Sequence, residues 1–285
     1  MFLPRVVLAV VILSAPAEAA EPALAAEEIM ARVAENQDRA VEQRREFMYR
    51  QTARVRLLQT NRKLRWDETR EYDVAPTPDG SESKLVRTFG ERRKGRNFVL
   101  FDVAGETIDA NGLDADLVDS FHEQVAGRNG GRDGFAPDLF PLTTGQQRQY
   151  SFRLEAEEEY RGRNVYRLRF EPRPQFGAAW RGEALVDRAE FQPVFVATQF
   201  AVEIPLWVRA LFGINVRQVG FSVNYKRFDE NVWFPVSYGG EFLIKVFHFY
   251  KRTAIVSLVN DDFRRATAES NIAFDDSEMP GRVEP

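Results

Sequence analysis

The chain of 285 residues contains no cysteine. That excludes disulfides, thiolate catalysis, thiolate metal sites and attachment of lipid to an N-terminal cysteine. Histidine is nearly absent as well, with only His122 and His248. Neither has a histidine or carboxylate at metal-ligand spacing, so no metal is expected. The segment GRNGGRDG is rich in glycine but lacks the Lys-Ser/Thr of a phosphate loop and the strand before it. No serine sits in a nucleophile elbow, and no carboxylate pair stands out by spacing. These absences argue against an enzyme and against a cofactor. The formal charge of −4 is spread, with basic residues matched by acids along the chain. That pattern excludes a nucleic-acid footprint, so no nucleic acid is expected as partner.

Long apolar runs are also missing beyond the first twenty residues. MFLPR is a short basic start, VVLAVVILSA an apolar run, and Ala17-Glu18-Ala19 a small-x-small site. The run is about half the roughly 20 residues that a membrane-spanning helix needs. Residues 1–19 read as a signal peptide cleaved after Ala19, which predicts an exported, soluble protein. Export without disulfides fits a Gram-negative periplasm. Residues 20–263 then form one domain, since no Pro/Ser-rich linker divides them, and residues 264–285 read as a polar, loose tail.

What is present is alternation. Ala23 to Arg45 has helical spacing, with acids early and Arg44 and Arg45 late, as the helix dipole prefers. From Phe47 the period becomes two: Phe47, Tyr49, Ala53, Val55 and Leu57 share one face, and Arg50, Thr52, Arg54 and Arg56 the other. That is a strand with one dry and one wet face. The same pattern recurs to Phe263, interrupted by a second helical stretch at Leu113–Gly127. Turns are read at Gly162-Arg163, at Asp229-Glu230-Asn231 and at Gly239-Gly240. The expected fold is mainly β, α+β in class. It is a single curved antiparallel sheet of about ten or eleven strands, an open half-barrel covered by an N-terminal helix and a short middle helix. EFLIKVFHFY is apolar on both faces and is expected near the centre of the sheet. Two helices are few for so long a sheet, which leaves a cavity on its concave side.

One stretch breaks the alternation. VEIPLWVRALFGINV, Val202 to Val216, carries Leu206, Trp207, Leu211 and Phe212 with a single charge, Arg209, between Glu203 and Arg217. It reads either as a lip at the cavity mouth, meeting acyl chains or a membrane surface, or as a short core helix. Trp66, Trp180, Phe200, Phe221, Trp233, Phe242 and Phe247 are the aromatic candidates for the cavity wall, with core packing as the competing role for each.

GEALVDRAEFQPV (Gly182 to Val194) and RFDENVWFPV (Arg227 to Val236) resemble two hairpin elements of the LolA/LolB-like superfamily. The resemblance extends from about Ala26 to Phe263, with a helix followed by long Arg-rich strands. It implies a half-barrel with helices as a lid over a hydrophobic cavity, in periplasmic carriers of outer-membrane lipoproteins. It also implies a cavity arginine, for which Arg50, Arg54 and Arg65 are candidates. The function so implied is a carrier of lipid or acylated lipoprotein cargo, with transient membrane-surface contact. The alternative is a lipid-sensing or protein-docking module with an envelope protein partner.

Overall fold

The computed structural model describes residues 24–77, 80–125, 140–176, 180–200, 217–229, 232–246 and 250–266. Residues 1–23, the Val202–Val216 stretch, Phe247, His248 and residues 267–285 lie outside these residues. Helix α1 (Ala26–Arg44) is followed by four strands: β1 (Phe47–Leu58), β2 (Leu64–Thr77), β3 (Gly80–Lys94) and β4 (Asn97–Ala104). Helix α2 (Leu113–Val125) and the single turn α3 (Thr144–Gln147) come next. Strands β5 (Tyr150–Tyr160), β6 (Arg163–Pro172), β7 (Trp180–Asp187) and β8 (Pro193–Phe200) then lead to β9 (Arg217–Asp229), β10 (Val232–Val246) and β11 (Tyr250–Arg265).

All eleven strands form one open antiparallel sheet in the order β4-β3-β2-β1-β11-β10-β9-β8-β7-β6-β5. The expected mainly β, half-barrel-like architecture is therefore present, and β10, with Glu241–Val246, is its central strand. The order has a consequence. β1 pairs with β11 from Phe47↔Arg265 to Leu58↔Thr253, so the first and last strands meet in the middle of the sheet. β4 and β5, which are adjacent along the chain, end on opposite edges. The connection that holds α2 and α3 must cross the width of the sheet, and both described helices of any length lie on one face.

α1 buries Ala26, Ile29, Met30 and Val33, spaced three and four apart, in one cluster with Leu168, Phe170, Ala184, Val196, Val223 and Trp233. Farther along, its polar residues tie it down. Asn36 donates to the carbonyls of Glu190 and Phe191, Gln37 to Gln192 Oε1 at 2.7 Å, and Arg44 Nε to the Trp233 carbonyl at 2.8 Å. α2 buries Ala115 and Val118 over Val55, Leu57, Trp66, Ala254 and Val256 of the other half of the sheet.

The opposite face takes the arginines. Arg54 pairs with Asp67 through two bonds of 2.8 and 2.6 Å, Arg87 does the same with Asp102, and Arg167 bridges Glu158 and Glu183 across three strands. Single exposed pairs of this kind add little stability. Their effect is to neutralise much of an Arg-rich face; where like charges are opposed, as at Arg153 and Arg169, Glu155 pairs with both.

One expected turn is not a turn. Gly239 and Gly240 lie inside β10, paired with Ser257 and Val256 of β11. A Cβ on Gly240 would stand 2.9 Å from the Gly220 carbonyl oxygen and 3.1 Å from the Phe242 ring. Glycine is there for close approach within a strand. The β5–β6 turn is the expected tight one, with Arg161 and Gly162 both at positive φ, 52° and 78°.

Candidate ligand-binding face

The helix-bearing face carries a row of rings between the two helix-covered regions. Trp180 at the start of β7 meets Phe221 of β9 at 5.6 Å between centroids. Phe221 meets Phe242 of β10 at 5.1 Å, and Phe242 meets Phe121 of α2 at 5.1 Å. The first two contacts are edge-on, the geometry that ring quadrupoles favour. Phe242 is buried, whereas Trp180, Phe221 and Phe121 are half-buried. Phe221 touches both the α1 core and the α2 core, so the row joins them. Glycines lie among the rings at Gly182, Gly220 and Gly240. At Gly182 a Cβ would come within 1.9 Å of the Ala197 carbonyl oxygen and 2.9 Å of the Phe170 ring.

Of the aromatic residues singled out from the sequence, the fold brings Trp180, Phe221 and Phe242 together. Trp66 is buried beneath α2, with Arg92 over its ring and Nε1 donating to Glu68. Trp233 is buried beneath α1, with Nε1 donating to Glu190 at 3.0 Å. Phe200 pairs through its backbone with Trp180; its side chain, Phe247, and Leu206, Trp207, Leu211 and Phe212 lie outside the described residues. The two ends of the 201–216 segment, Phe200 and Arg217, are held at the rim that carries Trp180, since Arg217 pairs with Leu243 near the end of β10. A pocket lined by Ser151, Phe152, Arg153, Arg169 and Glu171 is on the β5–β6 edge.

Of the candidate cavity arginines, two lie on the wet face and the third is tied to α2. Arg50 pairs with Asp73 and Arg54 with Asp67 on the wet face, and Arg65 reaches Asp114 at 2.7 Å. On the helix-bearing face, Arg70 is the arginine buried between β2 and α2. Its Nε donates to Glu68 Oε1 at 2.8 Å, and its Nη2 bonds Asp119 of α2. Glu68 is fully buried, as is His122 of α2, whose Nε2 lies 3.6 Å from Glu68 Oε1. Among the described residues neither ring nitrogen of His122 has a hydrogen-bond partner. The signal was present in β2: Trp66, Glu68, Arg70, Tyr72 and Val74 alternate, which puts two charges at dry positions.

Burial pushes the Glu68 carboxyl up, against the pull of Arg70. Burial, then the charge of Arg70, holds His122 well below the usual imidazole value. The groups facing it are Glu68, Arg70 and Asp119. A histidine kept neutral in the fold contributes stability that is present above about pH 6.5 and is lost as pH falls below it. The expected loss approaches about 1.4 kcal/mol per pH unit for the one proton involved. Urea midpoints between about pH 7.5 and 5.5 should fall for the wild type and fall less for His122→Leu. Equal slopes would show that His122 takes up its proton in the folded protein.

Among the described residues there is no group of three or more histidines, aspartates and glutamates able to hold a metal ion. None of the described helices is long and apolar enough to cross a membrane. Comparison with protein-family models and with curated protein sequences gives no match. Among solved structures, the chain is similar to a domain assigned as an outer membrane lipoprotein-sorting protein from Vibrio parahaemolyticus. Identity is 14% and the TM-score 0.41, over 88% of this chain and 98% of that one. It is similar to a LolA superfamily protein from Nitrosomonas europaea at 11% identity and TM-score 0.32, over 88% and 97% of the two chains. A DUF1329 family protein from Desulfovibrio piger gives 10% identity and TM-score 0.39, over 88% and 98%. The described residues form one open antiparallel sheet with two helices against one face, the kind of architecture expected from the sequence.

Proposed function

We propose that the chain is an exported periplasmic carrier that shelters an apolar moiety, lipid or lipoprotein acyl chains, during transfer toward the outer membrane. The observation that carries this reading is the aromatic row Trp180–Phe221–Phe242–Phe121, three of its rings half-buried, between the two helix-covered cores. The mechanism is burial without chemistry. Each methylene taken out of water is worth about 0.8 kcal/mol, so a ten-carbon stretch supplies roughly 8 kcal/mol before the costs of association. The broad faces of the rings suit chains of varying length better than they suit one shaped ligand. In the same reading Leu206, Trp207, Leu211 and Phe212 form the mouth, where cargo or a membrane surface is met. With no cysteine to anchor it, the carrier is free to shuttle.

The test is lipid mass spectrometry on protein purified from a bacterial periplasm, followed by titration with a fluorescent fatty-acyl probe. Near-stoichiometric lipid or acylated peptide is expected. Phe221→Asp should weaken probe binding at least tenfold, since a carboxylate on the wall must be desolvated by the chain. Trp180→Ala, at the end of the row, gives a milder loss and serves as the check if Phe221→Asp does not fold. A protein that carries no lipid and ignores the probe would sink the carrier reading and leave the protein-docking alternative.

A further inference from the structure

The two edges of the sheet are built differently. β5 carries Glu155, Glu157 and Glu159 at exposed positions, and its pairing with β6 shifts register between Leu154 and Ala156. Charge and irregularity are the usual means by which an edge strand is kept from pairing with another chain. β4 has neither. Its sequence NFVLFDVA pairs with β3 without a break from Arg87↔Ala104 to Lys94↔Asn97. Its single charge, Asp102, is tied to Arg87. Phe98, Val99 and Leu100 are 44%, 42% and 79% exposed.

The direction of its hydrogen bonds can be read. Gly105 N–H donates inward to the Val86 carbonyl at 2.9 Å. In an antiparallel ladder the direction alternates by residue. Val99, Phe101 and Val103 therefore bond inward to β3, and Phe98, Leu100 and Asp102 turn their N–H and C=O groups to the open edge. The two ends of the strand also differ in charge. Arg93, Lys94 and Arg96 cluster at the β3–β4 turn, with no carboxylate partner among the described residues. Glu106 stands exposed just past the other end, likewise without an ion-pair partner among the described residues.

We propose that β4 pairs antiparallel with β4 of a second copy of this chain, about a two-fold axis at Phe101, joining two sheets into one. Pairing residues an even number of positions apart keeps the helix-bearing faces of both copies on the same side. With the axis at Phe101, Val99 lies opposite Val103 of the second copy and Phe101 opposite its own counterpart, all on the helix-bearing face. Leu100 lies opposite Asp102, and the two exchange the hydrogen bonds that each edge leaves open. Arg96 comes opposite Glu106 at both ends. A peptide of another protein could meet the open bonds of the edge. The chain itself supplies the basic and the acidic end at matching distances from one centre. A single strand pair is small for a stable interface, so association is concentration-dependent. The inference stands whether or not the protein carries lipid.

The test uses the mature full-length protein. Light scattering across a wide concentration range should show the mass rising twofold, and not continuing to larger species, because the two-fold contact closes on itself. Leu100→Pro removes an N–H that faces the open edge and spares the bonds to β3. It should abolish the dimer and leave the melting temperature of the monomer unchanged. Arg96→Glu and Glu106→Arg should each weaken the dimer at least tenfold, and the double variant should restore it. The protein has no cysteine of its own, so Phe101→Cys reports the axis directly. Non-hydrogen-bonded partners sit about 4.5 Å apart at Cα, within disulfide reach. Oxidation should give a crosslinked dimer, while Glu159→Cys on the other edge stays uncrosslinked. A monomer at every concentration overturns the proposal. So does a dimer that survives Leu100→Pro, or a charge exchange without rescue.

Discussion

Replacing Arg70 by methionine is expected to destabilise the protein by about 3–5 kcal/mol, the usual cost of leaving one member of a buried ion pair alone. Glu68 is fully buried and its carboxylate is held by Arg70 and by the Trp66 indole N–H. Without the guanidinium, a charge remains in a dry site between β2 and α2, or a proton must be taken up to remove it. The contact from Arg70 to Asp119 is lost as well, and with it a tie between sheet and helix. The double variant Glu68→Leu/Arg70→Met should recover most of the loss, because apolar side chains of similar volume pack where the pair stood. Asp119 is half exposed and water can take over its solvation. Urea denaturation of the two single variants and the double variant measures this directly. If Arg70→Met unfolds no more easily than the double variant, the pair is hydrated in solution and does not fix α2.

The second large effect is expected from the smallest change, Gly182→Ala. The φ of Gly182 is ordinary for a strand, so backbone strain is not the cause. The space is already taken. The new methyl would overlap the Ala197 carbonyl oxygen of β8, a backbone atom fixed by its own ladder, and the ring of Phe170. Overpacking of this kind costs typically about 1–3 kcal/mol. Here it would also part β7 from β8 beside Trp180, so fatty-acyl probe binding should weaken together with the melting temperature. Gly145→Ala is the control, since nothing lies within 4 Å of its added Cβ and it sits in the turn α3. A Gly182→Ala protein with wild-type melting and probe affinity would mean that β7 and β8 are farther apart in solution.

Much of the fold can be read from alternation. The period of two through Gln51, Ala53, Val55 and Leu57 identifies β1 and its dry face, and the three-to-four spacing from Ile29 to Ala40 identifies α1. Gly162 in its tight turn is legible for the same local reason. Gly239-Gly240 is misleading because a glycine pair suits a turn and a close strand contact equally. Only the approach of Gly220 and the Phe242 ring distinguishes the two.

The site divides along the same line. Aromatic residues at dry positions are visible as candidates. Alternation does not say which of them meet, because it gives the face of each residue and not its neighbours across the sheet. Trp66 and Trp233 have the same local pattern as Phe221, yet each lies under a helix. The helix position decides that, through contacts more than a hundred residues apart such as Asn36 with Glu190.

The sequence by itself determined the period of each element, the wet face rich in arginine and the absence of thiol chemistry. These depend on neighbours one to four residues away. The tertiary structure decided the pairing of β1 with β11, and therefore which strands are edges, which arginine turns inward under α2, and which rings form a row. Those are long-range choices, set by how the dry faces of distant strands and two short helices can be buried together.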